Sequence, residues 1–173
     1  MDPEFVSLVF ALVQGPSGPA SISRQEFLGQ VGEHDGTALA HRLLLTAIGD
    51  RSPLGVEVAL ILGSVFGVNE EFVGPLSALV TEDWHVSHED AVSLLDKLRV
   101  PATIPALLAT TEWVPSHLQW DKAHAFGRKA VYALSKLGNT AALDALARIA
   151  TENPWEPIVS LARAKLSAAQ PDA

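Results

Sequence analysis

At 173 residues, 48% of them hydrophobic and 18% charged, the chain has the size and apolar content of a compact domain rather than of a disordered segment. Twelve Lys and Arg against twenty Asp and Glu leave a net charge of −8, which disfavours a nucleic-acid backbone as partner. The absence of cysteine excludes a disulfide framework, a thiolate nucleophile and cysteine-held zinc or iron–sulfur clusters, and fits a reducing compartment, the cytoplasm. The longest run without a polar residue, 58–63, reaches only Val68 when Ser64 is allowed. A membrane span needs roughly 18 such residues, so none is expected.

Asp2-Pro3-Glu4-Phe5 is what two adjacent restriction sites encode, so residues 1–5 read as an expression scar and are set aside from the fold. A short apolar helix is predicted over Val6 to Val13, separated from the rest by the Gly15-Pro16-Ser17-Gly18-Pro19 linker, so that 6–21 stands apart from one repeat domain over 22–173. Phe27, Leu28 and Val31, then Leu39, Leu43, Leu44 and Ala47, predict a helix pair ending at Gly49-Asp50. Ser23 and Glu26 form a capping box at its start, and Asp35 opens its second helix. A looser pair follows around Ala59, Leu62, Val65 and Leu76.

From Ala91 onward the chain repeats itself at an offset of 39 residues: Val92 falls on Val131, Leu95 on Leu134, Leu98 on Leu137, Ile104 on Leu143, Leu107 on Leu146 and Leu108 on Ala147. Spacings of three and four place these side chains on one helical face, so each copy reads as two amphipathic helices with a short break. The break is Arg99-Val100-Pro101-Ala102 in one copy and Gly138-Asn139-Thr140 in the other, where Pro opens a helix and Gly closes one. Ile158, Leu161, Ala162 and Leu166 add a terminal half unit, for about nine or ten helices in an all-α chain.

The segment Gly127-Arg128-Lys129-Ala130-Val131-Tyr132-Ala133-Leu134-Ser135-Lys136-Leu137-Gly138 with Ala141-Ala142-Leu143-Asp144-Ala145-Leu146 resembles the HEAT-like repeats of the phycobilisome-lyase type. Ala102-Thr103-Ile104-Pro105-Ala106-Leu107-Leu108 is similar to the second helix of that repeat, including its proline. The resemblance is strongest over 87–166, moderate over 53–84 and suggestive over 22–50. It implies a right-handed α-solenoid of about four HEAT-like helix pairs plus terminal helices, and protein binding more often than chemistry.

The turns between units repeat as well. Thr81-Glu82-Asp83-Trp84, Thr111-Glu112-Trp113 and Thr151-Glu152-Asn153-Pro154-Trp155 each place a Trp just after a Thr-Glu step. Equivalent positions of a solenoid line up, so Trp84, Trp113 and Trp155 are expected either to form a ridge or to close each repeat against the next. Trp120 lies outside this position beside Asp121; it and Trp113 are expected to be the more accessible pair, with Trp84 and Trp155 more buried. Residues 81–90, 111–121 and 151–157 hold eight acids and no Lys or Arg, so the whole excess of −8 lies in these turns. Ser87 with Asp90 reads as a capping box there. The expected binding residues are Glu82, Asp83, Trp84, Glu112, Trp113, Trp120, Asp121 and Trp155, facing another protein with a basic surface.

The turn 112–124 is expanded. If Ser116 caps a helix, His117, Asp121 and His124 fall on one face of it, and with His85 and His88 they make a conceivable metal set for iron, zinc or nickel. HEAT-like deoxyhypusine hydroxylases hold a di-iron centre through several His-Glu pairs, whereas His88-Glu89 is the only such pair here, and no cofactor is expected. The favoured function is a non-enzymatic adaptor. An immunity- or antitoxin-like inhibitor of a basic effector and a metal-dependent or bilin-lyase-like enzyme on the same scaffold are the alternatives.

Overall fold

The computed structural model describes residues 1–13, 18–121 and 124–169. Among these it is all-helical, with no β-strand and ten α-helices: α1 (Pro3–Ala11), α2 (Arg24–Val31), α3 (Gly36–Gly49), α4 (Pro53–Phe66), α5 (Val73–Leu79), α6 (His88–Leu98), α7 (Ile104–Thr111), α8 (Ala125–Leu137), α9 (Thr140–Glu152) and α10 (Glu156–Ala169). The helices fall where the spacing expects them, but the close packing is of α3 on α4 in one region and of α7 on α8, α8 on α9 and α9 on α10 in the other, rather than within α2/α3 or α6/α7. No helix among the described residues is long and apolar enough to cross a membrane. The chain divides into two compact units, 1–75 and 76–173.

In the first unit, residues set aside as a scar begin α1. The Asp2 carboxylate accepts from the Glu4 N–H at 3.0 Å, Pro3 occupies the first turn, and Phe5 lies 6.1 Å from the Phe27 ring. Nor does α1 stand apart: it packs on α4 and α2, and the Ser21 N–H returns to the Ala11 carbonyl at 2.8 Å. The predicted linker falls partly at 14–17, outside the described residues. The Ser23–Glu26 capping box forms in both directions, and Asp35 caps Thr37 and Ala38.

The α3/α4 pair is the tightest contact of this unit. It is antiparallel, because Gly36 at the start of α3 lies under the Phe66 ring at the end of α4, while Ala47 at the end of α3 meets Gly55 at the start of α4. A Cβ on Gly36 would come within 2.2 Å of the Phe66 ring, and one on Gly55 within 2.8 Å of the Ala47 methyl. At Gly36 the space for a side chain is taken by the Phe66 ring, and at Gly55 by the Ala47 methyl and the Ser52 side chain.

In the second unit, four of the six position pairs related by the 39-residue repeat share their environments, whereas Ile104 is buried and Leu143 half-buried, and Leu108 is half-buried and Ala147 exposed. Val92 and Val131 are buried, as are Leu95 with Leu134 and Leu107 with Leu146, while Leu98 and Leu137 are both half-buried. α8 is the centre of this unit, touching α6, α7, α9 and α10. Gly138 ends it in the left-handed region (φ 63°), as Gly allows; the matching position after α6 is Arg99, which takes the same conformation (φ 53°).

The Gly36–Phe66 contact yields a test of this packing. Gly36→Ala is expected to cost about 1–3 kcal/mol, because the Phe66 ring must leave the place it occupies over this position. Thermal denaturation followed by far-ultraviolet circular dichroism checks this, and an unchanged melting temperature contradicts the close approach of α3 and α4.

Candidate functional site

Each second helix of the later units ends in a turn carrying a Trp, and in all three turns the Trp lies against a histidine ring. Trp84 meets His85 edge-on at 5.1 Å, Trp113 lies 5.4 Å from His88, and Trp155 stacks on His124 at 4.7 Å. All three indoles are half-buried. Trp120 alone is a freely exposed indole among the described residues, at 75%. Trp113 therefore groups with Trp84 and Trp155 rather than with Trp120, because His88 and Phe126 cover it.

The histidines converge further. His85 and His88 stack at 4.0 Å with nearly parallel planes, and His117 lies 5.1 Å from His88. His85 and His88 are buried, 2% and 0% exposed. The ring nitrogens are directed to the backbone: His85 Nδ1 accepts from the Ser87 N–H at 3.1 Å, so Nε2 carries the proton and donates to the Leu79 carbonyl at 3.0 Å. His88 Nε2 donates to the Glu82 carbonyl at 2.7 Å, leaving Nδ1 buried without a hydrogen-bond partner. Burial pushes both imidazoles below their ordinary pKa, His88 to about 4, so both are neutral at neutral pH.

The expected helix starting at Ser116 does not form. Residues Ser116–Leu118 make a single 3-10 turn, the Trp120 Nε1–H takes the His117 carbonyl at 2.8 Å, and the Asp121 carboxylate caps the Ala125 N–H at 2.6 Å, which starts α8 only at Ala125. His117, Asp121 and His124 consequently do not share a helical face. His117 joins His85 and His88, whereas Asp121 and His124 line a separate small recess with Trp113 and Trp155. No group of three His, Asp or Glu among the described residues is arranged to hold a metal ion. The Ser87 capping box is also absent: α6 begins without a side-chain cap, and the Ser87 N–H serves His85 instead.

The acidic turns are tied to one another and to bases brought in by the helices. Asp83 receives the N–H of Ser116 at 3.0 Å and also its hydroxyl, which holds the Asp83 carboxyl below its ordinary pKa and joins turn 81–87 to turn 112–121. Arg148 of α9 reaches Glu112 and Glu152, each at 3.0 Å, and Lys129 of α8 lies 3.5 Å from Glu89. The Asn153 amide donates to the Thr111 carbonyl at 2.7 Å. The uniformly acidic edge expected from the sequence is thus neutralised around Glu89, Glu112 and Glu152. Sequence reasoning missed Lys129 and Arg148 because both lie outside the turns, on helices that fold back over them.

No known protein family, curated protein or solved structure matches this chain. The described residues form an all-helical protein whose second unit carries a cluster of Trp and His rings at its turns.

The histidine stack makes the second unit acid-sensitive. His85 and His88 bind protons more readily unfolded than folded, so their contribution is complete above about pH 6.5 and is lost as pH falls toward about 4. Facing them are His117, Glu82 and Asp83, while Phe126 of α8 adds no charge. All four Trp residues lie in this unit, so their fluorescence reports it alone. Urea unfolding followed by Trp emission is expected to show a stability loss on the order of 2 kcal/mol between pH 7 and pH 4.5. His88→Gln is expected to flatten that slope, and an equal slope in the variant contradicts the assignment.

Proposed function

We propose that this protein is a non-enzymatic binding module of HEAT-like helix pairs, which holds another protein of basic surface through the joined turns 81–90 and 112–121. The observation that carries this reading is Trp120: its ring is 75% exposed, yet its indole N–H is fastened to the His117 carbonyl at 2.8 Å. An exposed aromatic held in one position loses little further freedom on binding, and such residues dominate interface energies. The Asp83–Ser116 tie fastens the turn that carries Trp120 to the acidic turn that carries Glu82 and Asp90. A net charge of −8 steers a cationic partner, and of the eight acids of the turns Lys129 and Arg148 pair with Glu89, Glu112 and Glu152. The half-buried Trp113 and Trp155 then support the face from beneath, and Trp84 does the same beside His85.

The energetic traces of the two kinds of Trp differ. Trp120→Ala is expected to change stability by about 0.5 kcal/mol or less and to weaken partner binding by about 2 kcal/mol or more. Trp113→Ala, which removes a ring lying on His88 and Phe126, is expected to cost about 2–4 kcal/mol of stability. Affinity capture with the wild-type chain, compared with Trp120→Ala and with the Glu82→Lys/Asp90→Lys pair, tests the reading. It expects a basic polypeptide retained by the wild type and lost from both variants. Equal retention by all three, or an acidic partner, overturns it.

A further inference from the structure

The first unit carries a groove of about 820 Å³ that the binding face proposed above does not use. Arg24, Gln25, Leu28 and Gly29 line it along one face of α2, and His34 and Phe66 complete the lining beside Gly32 and Glu33. We infer that this groove binds a small aromatic carboxylate, its carboxylate on Arg24 and its ring over Leu28 and Phe66. The site lies wholly within residues 1–75, so the inference stands apart from the function of the second unit.

Size, floor and charge each support this ligand. Small-molecule sites run to roughly 300–1,000 Å³, and the groove falls in that range. Its floor is kept at the level of the backbone by two glycines. Gly32 takes the left-handed conformation that ends α2 (φ 69°), which calls for glycine. Gly29 has no such reason: it lies inside the helix, where glycine weakens the structure relative to alanine, and a Cβ there would meet nothing within 4 Å. Leaving that space open is what Gly29 does. The charge at the groove is positive on a chain of net charge −8, because the exposed Arg24 has no ion-pair partner among the described residues, whereas Glu33 is paired with Arg42 and the Glu26 carboxylate takes the Ser23 N–H at 2.7 Å. A guanidinium matches a carboxylate through two parallel hydrogen bonds, and the exposed His34 ring offers a further N–H. The aromatic surface is set in advance. The Phe66 ring rests over Gly36 and 5.9 Å from the Phe27 ring, its carbonyl accepts from the Thr37 hydroxyl at 3.2 Å, and it remains half-buried, so an aromatic ligand finds a ring already held in place.

The experiment is a titration of the nitrogen-15-labelled full chain with 2-naphthoate and, separately, with neutral 2-naphthol, reading the backbone amide signals. The inference expects saturable shifts of the Gly29, Gly32 and His34 amides with 2-naphthoate, and 2-naphthoate to bind about fivefold tighter than 2-naphthol or more. Arg24→Gln is expected to bring 2-naphthoate down to the 2-naphthol affinity without lowering the melting temperature, since residue 24 is exposed. Gly29→Leu puts a side chain into the groove and a better helix former into α2, and is expected to abolish the shifts while the melting temperature holds or rises. Loss of binding in a protein that is no less stable separates a filled groove from an unfolded one; should Gly29→Leu melt lower than the wild type, Arg24→Gln decides. Equal affinities for the two probes, shifts that are absent or confined to other residues, or unchanged binding in Gly29→Leu overturn the inference and leave the basic-partner reading of the second unit as it stands.

Discussion

The second unit depends on α8 being buried from several sides at once. Phe126, Gly127, Ala130, Val131, Ala133 and Leu134 are all buried, and α6, α7, α9 and α10 lie against it. Small residues at 127, 130 and 133 let neighbouring helices approach closely, while Val131 and Leu134 fill the spaces between them. At Gly127 a Cβ would come within 3.0 Å of the Ile158 side chain, with the Thr111 backbone in ordinary contact. The start of α8 is fixed by Asp121, and this places Phe126 under both His88 and Trp113. The aromatic face therefore follows from where one helix begins.

The turns show how polar groups are satisfied beside such a core. His85 and His88 bury their rings against each other and give their protons to the Leu79 and Glu82 backbone carbonyls. Neutral imidazoles are the form such a site tolerates, since charging two stacked rings away from water costs solvation and adds mutual repulsion. Asp83, Asn153 and Arg148 then cross-link successive turns. Individually the exposed ion pairs contribute little to stability. Their effect is to set which acids face solvent without a base beside them, and so where a positive partner is drawn.

The segment Ser116–Leu118 makes a single 3-10 turn, the Trp120 indole N–H takes the His117 carbonyl, and its ring is left outward. This turn also separates His117 from Asp121 and His124. One histidine goes to a buried stack and the other to the recess beside Trp155.

How much of this was legible depended on the range of the interaction. Helical periodicity, the 39-residue repeat, the Ser23 and Asp35 caps, the glycine at 138 and the equivalence of Trp84, Trp113 and Trp155 are local or self-similar features, and the sequence by itself determined them because spacing alone decides which side chains share a helical face. The Ser87 capping box failed for the opposite reason: the Ser87 N–H it needed is claimed by His85 in folded geometry, and the segment at Ser116 makes only a single 3-10 turn. The packing of α1 on α4, the Gly36–Phe66 contact, the stack of His85, His88 and His117, and the arrival of Lys129 and Arg148 at the acidic turns join residues distant in sequence or brought round by a turn. Only the tertiary structure decided these, because burial, desolvation and ion pairing depend on which surfaces meet, and no spacing along the chain records that meeting.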